Sequence, residues 1–204
     1  MQELNYPIIS IIVFYKLFTL IKNGRVRILM KFSLDNPLWN FSNKFYKNDN
    51  VRIACLKLQN EFGFDVNIVL YCCWMAYSGY PIIKIEELLE IIRTIKPWQN
   101  EVISDLRKVR VRMKSNNGIK FGLHSNALRD KIKDCELQAE RIEQAILFYS
   151  GDKLAPKTNT DSIQRGSVAL KNLEAYTNQM VIDDVTILHS YLNVLKEALI
   201  EHAD

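Results

Sequence analysis

Glycine and proline are scarce in this sequence, with seven and five residues among 204. A β-sandwich reverses tightly after each short strand, and those reversals draw on glycine and proline, so the scarcity argues against a turn-dense β fold. About half of the residues (48%) are hydrophobic and the net charge is only +4, which excludes general disorder. The length suits one domain, or one domain with an appendage.

Motifs that identify an enzyme or a metalloprotein are also missing. The four cysteines form no CxxC pair or zinc-type run, there is no GxSxG, GxGxxG or P-loop pattern, and the three histidines are isolated. We therefore assign no catalytic residue, metal ligand or cofactor. The interpretation leans against an enzyme but leaves the question open, because catalytic groups can assemble from distant positions. The cysteines are interpreted as buried free thiols, which indicates a reducing, cytoplasmic compartment.

The N-terminal apolar run, residues 6–21, is interrupted by Lys16. As a membrane span it is short, about 24 Å of helix against roughly 30 Å of hydrocarbon, and it lacks the charge order and cleavage site of a secretory signal. Three interpretations remain: a membrane or interfacial anchor, a core helix, or a leader upstream of an internal start at Met30. We expect residues 1–29 to be a doubtful leader, residues 30–204 to be the folded domain, and a membrane partner only if residues 6–21 are present and anchor.

From Asp35 onward, apolar residues recur at helical spacing, which predicts an all-α, single-domain bundle of about six to eight helices. The stretch from Val66 to Ser78 has almost no charged face, which is typical of a central buried helix. Pro97 is expected to open a new helix. A flexible loop is expected near residues 151–162, and the C-terminal region is expected to form one helix or two.

A long helix is predicted after the loop at residues 115–122. Its apolar residues alternate spacings of four and three, which predicts a buried seam against neighbouring helices; the seam comprises Leu128, Ile132, Cys135, Ala139, Ile142, Ile146 and Tyr149. Glu136, Glu140 and Glu143 share another face. A metal pair there would need Glu-x-x-His elements, which the sequence lacks, so a surface ion-pair ladder with Arg129 and Lys133 is the simpler interpretation.

Charge is segregated along the chain. Residues 107–133 carry nine bases and one acid, whereas residues 134–204 carry six bases and twelve acids. The leading hypothesis is a non-catalytic binding or adaptor protein whose basic helical surface binds an acidic protein or a phosphate-bearing ligand; nucleic acid has no supporting motif. A solvated face paired with the acidic last third is the alternative. The basic surface comprises Arg107, Lys108, Arg110, Arg112, Lys114, Arg129 and Lys133.

The alternative function is an enzyme or small-molecule carrier with an aromatic-lined pocket between helices. Its basis is the three tryptophans, together with acidic residues that would be notable in a pocket, although helix capping explains Asp65 more simply. The candidate pocket residues are Trp39, Asp65, Asn67, Trp74, Trp98, Glu136 and Glu140.

A set of spaced motifs covers roughly residues 36–150. These are Trp39, Phe41 and Ser42; Cys55 to Gln59, Gly63 and Asp65 to Asn67; Trp74; Trp98 with Leu106, Arg107 and Arg110; and Glu136, Leu137, Ala139 and Glu140. In this pattern the sequence resembles a family of uncharacterised helical proteins from Gram-negative bacteria, a domain of unknown function. The resemblance implies a fold but no catalytic role, and the last third matches it less distinctly.

Overall fold

A computed structural model describes residues 33–114, 122–151, 158, 160–180 and 185–203, and the backbone of residues 18–22 and 25–29. The chain divides into two compact units, residues 1–33 and 34–204. In the first unit, strand β1 (Phe18–Lys22) pairs antiparallel with strand β2 (Arg25–Leu29). Residues 6–17 of the apolar N-terminal run lie outside the described residues, and its last four residues belong to β1.

The second unit is an all-α bundle, as predicted. Its eight helices, counted over the described residues, are α1 (Pro37–Phe45), α2 (Asp49–Phe62), α3 (Val66–Tyr77), α4 (Ile85–Trp98), α5 (Ser104–Lys114), α6 (Gly122–Gly151), α7 (Ser162–Thr177) and α8 (Val185–Ala203). The C-terminal region therefore contains two helices. Most of the loop expected near residues 151–162 lies outside the described residues. Within the described part of the chain, no helix is both long enough and apolar enough to cross a bilayer.

Helix α3 lies at the centre, as its composition predicted. Ten consecutive residues, 67–76, are buried, and the helix packs against α1, α2, α6, α7 and α8. Asn172 of α7 fixes part of this packing: its Nδ2 donates to the Cys72 carbonyl at 3.3 Å, and its Oδ1 accepts from the Ile83 backbone N–H at 2.9 Å. An amide buried in this core is tolerated because both of its polar atoms are hydrogen-bonded.

Short-range signals set the helix ends around α3. The side chain of Asn36 accepts from the Trp39 backbone N–H at 3.0 Å and so caps α1. Gly63 ends α2 at a φ of +72°, a left-handed conformation that suits glycine. Asp65 then caps α3 by accepting from the Asn67 backbone N–H at 2.9 Å. These three signals place the N-terminus of α1, the C-terminus of α2 and the N-terminus of α3.

The expectation that Pro97 opens a helix is wrong. Pro97 lies inside α4, and a π-helical segment, Gln99–Ile103, continues the helix into α5. Pro97 is on the exposed side of the helix, where water can satisfy the carbonyl that loses its backbone partner. The wider π turn follows within one turn of the proline, so the axis adjusts without a break.

The buried face of α6 differs from the predicted seam. Leu128 is 52% exposed and Cys135 is exposed, whereas Ala139, Glu143 and Leu147 are buried. The burial of Cys135 was therefore predicted wrongly, while Cys55, Cys72 and Cys73 are buried free thiols as expected. The buried stripe includes glutamates because their carboxyl groups find hydrogen-bond partners on α3 and α5.

Candidate functional site

A cavity of about 250 Å³ lies between α1, α2, α3 and α6. Its lining combines two aromatic side chains with polar side chains from all four helices and with Lys47. The aromatic and polar residues used below are Trp39, Ser42, Tyr46, Asn67, Glu140 and Gln144. Aromatic walls with a few convergent polar groups are typical of small-molecule sites.

Two polar atoms in the cavity wall lack a protein partner. Ser42 is 3% exposed and Gln144 is 2% exposed. Within the described residues, neither Ser42 Oγ nor Gln144 Oε1 has a hydrogen-bond partner. Both residues line the cavity, and these two oxygens are themselves buried.

The side-chain amides of Asn67 and Gln144 form a chain of hydrogen bonds with Glu143, which we call the amide relay, behind this wall. Asn67 Nδ2 donates to Glu143 Oε2 at 3.2 Å, and Gln144 Nε2 donates to Asn67 Oδ1 at 2.9 Å. Glu143 is completely buried. The relay therefore connects a carboxyl group in the core with an amide oxygen in the cavity wall.

Glu143 forms a carboxyl pair with Asp65. Burial, reinforced by the charge of Asp65 and a hydrogen bond to it, raises the pKa of Glu143 to about 10. Burial also raises the pKa of Asp65, although its hydrogen bonds with Glu143 and the Asn67 backbone oppose that rise. Of the two carboxyl groups, Glu143 is therefore the one that keeps its proton at neutral pH. The Tyr176 hydroxyl accepts from the Asp65 backbone N–H at 3.1 Å, which ties the pair to α7.

Two arginines of α5 form ion pairs with Glu136 and Glu140, which precede Glu143 on α6. Arg107 donates to Glu136 Oε1 at 2.9 Å and to Glu140 Oε1 at 2.8 Å. Both Nε and Nη2 of Arg110 donate to Glu136. Burial raises the pKa of Glu136, but its hydrogen bonds and charge contacts with Arg110 and Arg107 outweigh burial, so the net pKa is lowered. Glu136 is therefore ionised and paired on both oxygens.

The rim of the cavity is aromatic and partly charged. Burial, and then the neighbouring Cys55 and Glu140, raise the pKa of Tyr46 to about 12, so its hydroxyl is neutral at physiological pH. The Arg141 guanidinium lies 5.4 Å from the centroid of the Trp39 ring, a cation–π distance. Burial raises the pKa of Glu140 although Arg107 opposes the rise. The cavity therefore offers a neutral phenol, an indole, a carboxyl group and the Lys47 side chain.

The predicted pocket residues separate into three groups. Trp39, Asn67 and Glu140 line the cavity. Asp65 and Glu136 lie behind the cavity wall. Asp65 accepts from the backbone N–H of Asn67, and Glu136 shares Arg107 with Glu140. The remaining two are placed by other contacts: Trp74 is 3% exposed and packs against Tyr71, Tyr80 and Phe148, while Trp98 donates its indole N–H to the Ala139 carbonyl at 2.9 Å.

The predicted basic surface lies on α5 and the first half of α6. Arg107 and Arg110 turn toward α6 glutamates, and Lys108 pairs with Asp105 at 2.8 Å. Arg129 lies 3.5 Å from Asp130. The exposed residues of this surface are Lys108, Arg112, Lys114 and Lys133.

Sequence reasoning missed Gln144 and Ser42 as cavity residues, and it placed Glu143 on the surface. The surface-ladder interpretation is wrong for Glu143, which is fully buried. It is also wrong for Glu136, which is 5% exposed and pairs with Arg107 and Arg110 of α5 rather than with Arg129 and Lys133. A signal was present: Glu143 lies four residues from both Ala139 and Leu147, so it shares their helix face. An acidic residue in the middle of an apolar stripe indicates a partner from another element.

Within the described residues, no three His, Cys, Asp or Glu side chains are grouped so that they could hold a metal ion. Fold and cavity together define an all-α protein with an aromatic-rimmed, polar cavity. The chain belongs to the family described as Protein of unknown function (DUF2390), whose model matches residues 37–147. The resemblance drawn over residues 36–150 is thus confirmed as a family. No curated protein and no solved structure matches the chain significantly.

Proposed function

We propose that this protein binds a small polar molecule in the cavity between α1, α2, α3 and α6. The observation that carries the proposal is the lining of this cavity, in which the aromatic Trp39 and Tyr46 lie beside polar side chains from four helices. The volume, about 250 Å³, suits a ligand smaller than a typical drug molecule.

Chemical-shift mapping on the isotope-labelled full chain tests this function. We expect members of a library of small polar fragments to shift the amides of Ser42, Asn67 and Gln144 and the Trp39 indole. Trp39→Ala removes an aromatic wall that is already partly exposed, and it should weaken that binding. Trp98→Phe is the matched control, because the Trp98 indole contacts Ala139 instead. A library that leaves these resonances unchanged, or that binds elsewhere, would contradict the proposal.

A second candidate function is docking of an acidic protein on the basic surface. Two observations favour it. Residues 107–133 carry nine bases and one acid, and α5, which carries five of these bases, has no buried residue. Attraction between such a surface and an acidic partner weakens as salt screens it. Arg107 and Arg110 are held by Glu136 and Glu140, so the exposed lysines would make the contacts.

Calorimetric titration with poly-glutamate tests the docking surface. We expect binding at low salt that weakens as salt rises, and that is reduced by charge reversal of Lys108, Lys114 and Lys133 together. Reversal of Lys57, Lys84 and Lys96 is the matched control, since these exposed lysines lie on α2, at the start of α4 and near its end. Equal loss in both triple variants would indicate a net-charge effect and would reject the surface.

A further inference from the structure

The cavity presents one positive and one negative side chain. Of the described residues that line it, only Lys47 and Glu140 carry a charge at neutral pH. Lys47 follows the end of α1, whereas Glu140 lies on α6. A ligand with a single charge meets one of these groups as a partner and the other as a like charge, whereas a ligand with both charges meets two partners.

The ammonium group of Lys47 is available to a ligand. Lys47 is exposed, and within the described part of the chain its side chain forms no hydrogen bond or ion pair. Its backbone N–H donates to the Lys44 carbonyl at 3.2 Å, which fixes the base of the side chain beside the cavity. An ammonium group is a compact charge with three donors, so Lys47 can pair with a carboxylate that enters the cavity.

Glu140 has one carboxylate oxygen to offer. Its Oε1 accepts from Arg107 Nη2 at 2.8 Å, which fixes the carboxylate in place. Its Oε2 has no hydrogen-bond partner among the described residues. The Glu140 side chain is 28% exposed, and Oε2 does not belong to the buried, unpaired atoms, unlike the Ser42 and Gln144 oxygens. A carboxylate oxygen that is already positioned makes a strong, charge-assisted hydrogen bond with an ammonium group.

The rest of the lining is largely apolar. Trp39 and Tyr46 provide aromatic surface, and Val66, Leu70 and Leu137 provide aliphatic surface. Leu137 is 46% exposed, so a large apolar side chain at the cavity is left in contact with water. A ligand that covers this surface gains free energy in proportion to the apolar area removed from water. A complementary ligand therefore carries an apolar group next to its charged groups.

We infer that the ligand is a small zwitterion with an apolar side group, of which a free apolar amino acid is the simplest example. Its ammonium group donates to Glu140 Oε2, its carboxylate accepts from Lys47 Nζ, and its apolar group lies against Trp39 and Leu137. This inference rests on the proposed small-molecule function and narrows it to one ligand chemistry.

Three probes test the inference on the full-length wild-type chain at neutral pH, with chemical-shift mapping: L-phenylalanine, phenethylamine, which lacks the carboxylate, and 3-phenylpropanoate, which lacks the ammonium group. We expect phenylalanine to bind in the cavity about fivefold more tightly than either analogue, because each analogue loses one ionic contact at a partly exposed site. If an analogue binds as tightly as phenylalanine, or if library fragments bind in the cavity and phenylalanine does not, the inference is overturned while the cavity function survives. If neither the probes nor the library shifts the cavity resonances, both proposals fail.

Lys47→Met removes the cation and keeps an unbranched side chain. Lys44→Met is its matched control, since Lys44 is also exposed but does not line the cavity. We expect Lys47→Met to weaken phenylalanine and 3-phenylpropanoate about fivefold and not to weaken phenethylamine, because only the first two carry the group that pairs with Lys47. Lys44→Met should change none of the three. Equal weakening of all three probes by Lys47→Met, or unchanged binding of phenylalanine, overturns the inference.

Discussion

Helix α6 carries glutamates into two different environments, and the two ends respond in opposite ways. Glu136, at the α5 end, and Glu143, at the α3 end, are 5% and 0% exposed. The pKa of Glu136 is lowered, because Arg110 and Arg107 outweigh the effect of burial. The pKa of Glu143 is raised to about 10, because burial is reinforced by Asp65. Two residues of one type, two helical turns apart, are therefore an anion and a neutral acid.

The comparison shows that the partner decides the ionisation of a buried carboxyl group. Burial alone raises the pKa at both positions, so burial cannot distinguish them. At the α5 end, guanidinium groups favour the charged form. At the α3 end, burial and the Asp65 carboxylate favour the protonated form and outweigh the hydrogen bond from the Asn67 amide, which favours the charged form. The ion-paired end joins α6 to α5, and the neutral end joins α6 to Asn67 of α3.

The largest difference between the two ends is expected in the pH dependence of stability. The raised pKa of Glu143 means that the unfolded chain releases a proton which the folded chain keeps, so its contribution is complete below about pH 4.5 and declines up to about pH 10. The lowered pKa of Glu136 gives the opposite sign: its contribution is present at neutral pH and is lost as the pH falls through the folded-state value.

Urea unfolding of wild type, Glu143→Gln and Glu136→Gln over a pH series measures this difference. Between about pH 6 and about pH 8, we expect the stability of wild type relative to Glu143→Gln to fall by up to about 1.4 kcal/mol per pH unit. Wild type relative to Glu136→Gln should stay level over that range and decline in acid. Parallel profiles for the two variants would remove the distinction between the two ends.

Breaking the relay at its centre should have the next largest effect. Asn67→Leu leaves Glu143 Oε2 and Gln144 Nε2 without their partner, and two orphaned buried groups together cost about 3 kcal/mol. The free energy of unfolding by urea, followed by tryptophan fluorescence, measures the loss. Asn43→Leu is the control, as Asn43 is exposed, and it should stay within about 0.5 kcal/mol. A similar small loss for Asn67→Leu would show that the relay contributes little.

Replacing Glu by Gln, which keeps the shape of the side chain, should reduce the stability by different amounts at Glu136 and at Glu143 at neutral pH. Glu136→Gln removes the charge that Arg107 and Arg110 share; since these arginines are 25% and 28% exposed, we expect a loss of about 2 kcal/mol, less than for a fully buried pair. Glu143→Gln replaces a neutral acid by a neutral amide, so a loss below about 1 kcal/mol is expected. Equal losses would mean that both glutamates are ionised.

An exposed ion pair provides the smallest effect and a baseline for the others. Arg93 pairs with Glu90 at 3.0 Å on α4, with both side chains more than half exposed. Arg93→Ala should change the free energy of unfolding by less than about 0.5 kcal/mol, because solvent screens such a pair. A loss as large as that of Glu136→Gln would show that burial adds nothing to the ion pairs on α6.

The helix pattern could be predicted from sequence because it depends on local signals. Asn36 before Pro37, Gly63, and Asp65 before an apolar stretch are capping and stop signals whose effect is decided within a few residues. The even burial of α3 followed from its composition alone. The prediction that Pro97 opens a helix was wrong, because its exposed position and the π segment after it depend on the path of the whole helix.

The cavity could be predicted only in part, because its members come from distant segments. Trp39, Asn67 and Glu140 were proposed from residue type, and they do line one cavity. Gln144 was missed because nothing local distinguishes it from the exposed Gln138 on the same helix. The partner of Glu143 lies 76 residues away, at Asn67. Spacing within a helix predicts which residues share a face, but not which helix covers that face.

Helix α7 packs against α3, but the ribosome synthesises α7 much later than α3. Cys72 and Asn172 are joined across 100 residues of chain, and Leu173 of α7 belongs to the same core as α3. At about 5–20 residues per second, a ribosome needs about 5–20 s to add that length. The most apolar helix of the nascent chain is therefore synthesised several seconds before α7, and during that interval α7 cannot shield its apolar surface from solvent.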